Sequence, residues 1–153
     1  MMEKNKQNEE NKQEQLQQKY MEFQFVEQQV KKLQQQLQTF EQQLSELATV
    51  KEALDELKKV KSGTEILLPL STGIFLKAHL QSVDSLLVNV GSNTAVEKPL
   101  SQTKVLLLSQ ETELLTYKDR VMENVNLLQL HMTKLQEELQ ALVQETSSKE
   151  GTA

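Results

Sequence analysis

Apolar residues recur along this chain in two rhythms. Leu16, Phe23, Val26, Val30, Leu33, Leu37, Phe40, Leu44, Leu47 and Leu54 are separated by three, four or seven residues. That is a period of about 3.5, which keeps one narrow helix stripe on a partner and predicts a left-handed supercoil. The same steps return in Leu107, Leu114, Val121, Val125, Leu128, Met132, Leu135, Leu139 and Leu142. Between the two arms the period falls to two, the signature of strands. The fold class this predicts is mainly α: a long antiparallel coiled-coil hairpin with two central β-hairpins that join an oligomeric β-barrel.

The boundaries follow from where each rhythm stops. Residues 1–12 are polar and are expected to be disordered. Residues 13–146 form one domain, with a first helical arm over 13–62, the hairpins over 64–98 and a second arm over 100–146. Residues 147–153 read as a flexible tail. Lys19 and Lys51 interrupt the first stripe, which slides to Val50 and Leu57 as if the coil changed phase. Ser62-Gly63 supplies a stop, with Gly63 suited to a left-handed position after the helix. Pro99 suits the first position of the second helix, or else Ser101 caps it.

In the centre, Ile66, Leu68 and Leu70 alternate, Ser71-Thr72-Gly73 turns, and Ile74, Leu76, Ala78 and Leu80 alternate back. Pro69 fits an edge or a strand end. Leu86, Val88 and Val90 lead into a second turn, Gly91-Ser92-Asn93, and Val96 lies on the returning strand. Gly73, Gly91 and Asn93 are the turn residues. Isolated hairpins are marginal in water and leave open edges. The strands therefore call for other subunits, with Ile66, Leu68, Leu70, Ile74, Leu76, Leu86, Val88, Val90 and Val96 as the oligomerisation surface.

Composition narrows the function. Aromatic residues make up only 4% and Trp is absent, which fits long helices with a thin seam rather than a compact core. The net charge of −5 offers no basic face for phosphates, so no nucleic acid is expected as a partner. There is no cysteine, hence no disulfide or thiolate metal site. The polar start has no signal-peptide core, no run suggests a membrane span, and a cytoplasmic location is expected. No phosphate loop or triad is present, and His79 and His131 stand without ligand partners. Catalytic residues, metal sites and cofactors are therefore expected to be absent, and the chain is not read as an enzyme.

One cluster exceeds what a narrow seam can hide. Leu16, Tyr20, Met21, Phe23 and Phe25 crowd the outer end of the first arm, and Leu139, Leu142 and Val143 the matching end of the second. This is either a locally widened core or exposed apolar surface at a tip, which would mark a binding site.

The segments Glu65 to Ala78 (EILLPLSTGIFLKA) and Val88 to Lys98 (VNVGSNTAVEK), flanked by heptad arms, resemble the α-type subunit of prefoldin. Val88, Val90, Gly91, Val96, Glu97 and Lys98 match that family's VxVGxGxxVEK pattern. Asn93 replaces its second glycine, and Pro99 its capping serine. The resemblance implies a hetero-hexamer with β-type prefoldin subunits, joined through the hairpins, without a cofactor. It also implies ATP-independent capture of unfolded client proteins at the coiled-coil tips and their transfer to a group II chaperonin. Leu16, Tyr20, Phe23, Leu139, Leu142 and Val143 are then the candidate client-binding residues. The alternative is a prefoldin-like scaffold subunit that binds one dedicated partner.

Overall fold

The computed structural model describes residues 2–151. In order it contains helix α1 (Met2–Leu57), strands β1 (Glu65–Ser71), β2 (Ile74–His79), β3 (Ser85–Asn89) and β4 (Ala95–Pro99), and helix α2 (Leu100–Glu150). The strands form two separate antiparallel sheets, β1 with β2 and β3 with β4. The chain divides into two compact units, one made of the residues up to Thr39 and from Tyr117 onward, the other of Phe40–Thr116.

In the first unit the early part of α1 lies antiparallel to the late part of α2. Val26, Val30 and Leu135 form its buried core, with Phe23, Leu128 and Met132 packed against them. Every stripe residue expected here, from Leu16 to Leu37 and from Val121 to Leu142, is half-buried or buried. Lys12 and Lys19 stand at seam positions where an apolar residue would continue the stripe. Each reaches across to a glutamate of α2: Lys12 to Glu145 at 2.9 Å, and Lys19 to Glu138.

In the second unit Leu54, Leu100 and Thr103 are buried between the later part of α1 and the start of α2. Lys51 donates to Glu111 at 2.7 Å, and Lys104 to Asp55. The expected slide of the stripe to Val50 does not occur. Val50 is 45% exposed, and Lys51 keeps the seam position because Glu111 partners its ammonium. Leu57 is half-buried.

The helix ends depart from the sequence reading. Helix α1 starts at Met2, so residues 2–12 are helical rather than disordered. Residues 2–11 are exposed, and the local preference of Glu, Lys and Gln, without Gly or Pro, sustains the helix there. Met1 and residues 152–153 lie outside the described residues. At the other end α1 stops at Leu57 instead of running to residue 62. It tightens as it stops, with Lys59 donating to the Glu56 carbonyl (3.0 Å) and Val60 to that of Leu57 (3.2 Å). Gly63 does adopt a left-handed φ of 86°, but its N–H closes the base of the first hairpin by donating to the Leu80 carbonyl at 2.6 Å.

Pro99 ends β4, so neither it nor Ser101 begins α2 as expected. Leu100 is first, and its N–H, which no helix carbonyl can reach, donates to the Asp84 carbonyl at 3.1 Å. The expected flexible tail is helical as far as Glu150. Its hydroxyls bond back to the preceding turn, Ser147 to the Val143 carbonyl (3.1 Å) and Ser148 to that of Gln144 (2.7 Å).

The first hairpin pairs Ile66 with Ala78, Leu68 with Leu76 and Pro69 with Phe75, and the register then shifts so that Ser71 faces Ile74. Leu70 is the extra residue of this bulge, so it leaves the Ile66–Leu68 alternation. The turn shrinks to Thr72-Gly73, with Gly73 at φ 81°. In the second hairpin Val88 pairs with Val96 and Leu86 with Lys98. Gly91 and Asn93 are left-handed as their residue types suggest, and Ser92 between them joins them at φ 51°. The Asn89 side chain steadies this turn by accepting from the Gly91 N–H at 3.0 Å.

Leu135 is 2% exposed, the most buried side chain of the first unit's core. Leu135→Ala is expected to destabilise the folded chain by about 2–4 kcal/mol, read from denaturant unfolding followed by helix circular dichroism.

Candidate functional site

The first unit carries an open groove of about 1010 Å³ between its two helices. Leu16, Gln17, Tyr20 and Met21 line it from α1, and Gln136, Leu139, Gln140, Val143 and Gln144 from α2. The spacing of three and four on each helix puts these residues on consecutive turns of one face. Leu16, Tyr20, Met21, Leu139 and Val143 make the lining largely apolar, and its other four residues are all glutamine. Each such amide offers both donor and acceptor, and no lining residue carries a formal charge.

Four of the six residues assigned to client contact, Leu16, Tyr20, Leu139 and Val143, meet in this groove. Tyr20 is 55% and Val143 50% exposed, so this stretch is more than a widened core. Phe23 and Leu142 stand apart from the groove. Phe23 packs on the Val26–Val30–Leu135 cluster, Leu142 is half-buried in the seam, and neither lines the groove. Met21, 65% exposed and not among the six, lines the groove beside Tyr20.

Ion pairs tie the helices together beside the groove. The Lys19 ammonium, hydrogen-bonded to Glu138, holds that carboxyl below the usual carboxylate range, with its Coulomb attraction adding to the effect. Further in, His131 Nε2 sits 3.0 Å from Glu22 Oε1, a contact between the two helices. In the second unit the hydrogen bond from Lys104 likewise lowers Asp55 and raises Lys104.

The hairpins present a second surface. Of the residues assigned to oligomerisation, Leu68, Leu70, Ile74, Leu76, Val90 and Val96 are exposed, and Ile66, Leu86 and Val88 are half-buried. The opposite faces are apolar too: Leu67 and Phe75 on the first hairpin and, at 77% exposure, Leu87 on the second. Ile66-Leu67-Leu68 and Leu86-Leu87-Val88 are apolar runs, in which a period of two picks out only one face.

Among the described residues no cluster of His, Asp and Glu could hold a metal ion, and no helix is long and apolar enough to cross a membrane. Two helices paired antiparallel and joined through two β-hairpins define a coiled-coil hairpin subunit. The family model for prefoldin subunits matches residues 26–145. The chain is 28% identical over 105 residues to prefoldin subunit alpha of Thermofilum pendens, covering 69% of this chain and 81% of that one. It is 26% identical over 142 residues to prefoldin subunit alpha of Methanococcus vannielii, covering 90% and 95%. Its fold is similar to that of a chain in the cryo-EM structure of filamentous PFD from Methanocaldococcus jannaschii, with a TM-score of 0.68 at 18% identity over 76% of this chain and 96% of that one. The chain belongs to the prefoldin family, as an α-type subunit. It is thus a subunit of chaperone type, from a family not known for enzymes.

A carboxyl lowered on folding supports the fold above its ordinary value, and that support is lost as the pH falls through the depressed value. The denaturant midpoint is therefore expected to drop as pH is lowered through and below the normal carboxylate range. Glu138→Gln should make that drop shallower, as measured by unfolding across a pH series.

Proposed function

We propose that this chain is the α-type subunit of an ATP-independent holding chaperone of the cytoplasm. Its hairpins join those of β-type subunits in a hetero-hexamer. Its groove captures non-native proteins and passes them to a group II chaperonin. The observation that carries this reading is the uncharged apolar groove walled by glutamines. A non-native chain shows apolar side chains together with unpaired backbone N–H and C=O groups. Leu16, Tyr20, Met21, Leu139 and Val143 offer contact to the former. Gln17, Gln136, Gln140 and Gln144 offer hydrogen bonds to the latter without demanding a sequence. A single shallow groove binds weakly, and several grooves on one client supply the remainder through effective concentration. Weak contacts also permit release without a nucleotide.

The exposed hairpins support the assembly half of the proposal. Leu67, Leu68, Ile74, Phe75 and Leu76 are each more than two-fifths exposed in the isolated chain. A single chain does not shelter such a surface, and strand pairing with neighbours would.

Two outcomes are expected. The triple variant Tyr20→Gln, Met21→Gln, Val143→Gln, assembled with β-type subunits, should keep the mass of the hexamer. It should lose most of its suppression of aggregation of several unrelated, chemically unfolded proteins. Full suppression by that variant would defeat the capture role, and wild-type activity confined to one protein would point to a dedicated scaffold. Leu68→Asp with Leu76→Asp should abolish assembly with β-type subunits in native mass measurements while the helical circular dichroism persists.

A further inference from the structure

The start of α1 and the end of α2 are held together differently from the rest of the first unit. Further in, Val26, Val30 and Leu135 pack as a buried apolar core. Next outward stand Glu22 and His131. Beyond these, lysine takes two seam positions a heptad apart, Lys19 and Lys12, and meets two glutamates spaced identically on α2, Glu138 and Glu145. The apolar seam at this end is reduced to Leu16, Leu139 and Leu142, all only half-buried. None of the four clasping residues lines the groove, yet they alternate with groove residues along the same turns.

We infer that Lys12–Glu145 and Lys19–Glu138 form an ionic clasp whose closure, set by ionic strength, governs how far these helix ends separate and how much apolar surface the groove presents. Coulomb attraction between partly exposed groups weakens as the screening length falls, from about 10 Å at 0.1 M salt to about 3 Å at 1 M. Apolar contact does not weaken in this way. Where leucine at the two lysine positions would zip the end shut, lysine leaves it to a screenable force. Opening would add Leu16, Leu139 and Leu142 to the surface already offered by Tyr20, Met21 and Val143. The consequence for clients rests on the capture role proposed above.

Backbone hydrogen exchange on the full chain tests the clasp. Raising sodium chloride from about 0.05 M to about 1 M should speed exchange over residues 12–23 and 135–145 about fivefold, the scale two partly exposed pairs carry, and leave residues 26–33 unchanged. Lys12→Leu with Lys19→Leu should slow exchange at the ends and remove its salt dependence. Lys19→Glu should speed it at low salt, and adding Glu138→Lys should restore protection. Salt-insensitive exchange in the natural chain, or failure of the swapped pair to restore protection, would overturn the clasp. If exchange follows the scheme while the leucine variant holds unfolded proteins as well as the natural chain, the inferred control of the groove is overturned, whereas failure of the natural chain itself to hold them would overturn the capture role and leave the clasp standing.

Discussion

Each helix of this chain has one narrow apolar stripe, and the mutual burial of those two stripes is the interaction on which the rest depends. A seam of this kind satisfies the two helices and leaves nothing over. The few deeply buried side chains, such as Val26, Leu54, Val125 and Leu135, are stripe residues. Much of the apolar surface outside the stripe is exposed, including both faces of the first hairpin and part of the groove walls. The assembly through the hairpins proposed above rests on this shortage of interior, because four short strands in two separate sheets have no layer of their own to pack upon.

Apolar contact alone does not fix the register of two such stripes, since a shift by one heptad sets leucine against leucine again. The charged residues in and beside the seam remove that freedom. Lys51 meets Glu111 as the helices lie. A slip of one heptad in one direction would set it against Lys104 and in the other against Lys118. Like charges brought together in a half-buried seam penalise both alternatives. Lys104 itself is engaged by Asp55. The groove exists only in this register, because it is assembled from Leu16 and Tyr20 on one helix and Leu139 and Val143 on the other. The Lys51–Glu111 pair thus acts through alignment more than through stability, since ion pairs of this type contribute little.

The chemistry of the groove suits a chaperone-type subunit for a reason that runs against specificity. Charged linings discriminate, because a wrong partner leaves a charge unpaired. Glutamine amides beside leucine, methionine and tyrosine do not. On the capture role proposed above, the same residues give low affinity for any one segment and tolerance of many.

The alternation of periods three-and-four with two was enough to determine two helices, two hairpins and their order, because each period is a local consequence of backbone geometry. Most turn residues were legible for the same reason, Gly91 and Asn93 being types that accept a left-handed backbone. The helix limits were not: residues 2–12 and 147–150 lack the apolar stripe that marks an arm, yet local propensity and back-bonded hydroxyls keep them helical. Lys51 read as a break in the stripe because its partner lies on the other helix, far away in sequence. Tyr20, Met21 and Val143 were visible as surplus apolar residues, but whether they were core or surface was not. Only the packing of one helix against the other separates the side chain that enters the seam from the one beside it, because a position's burial depends on the neighbour that covers it.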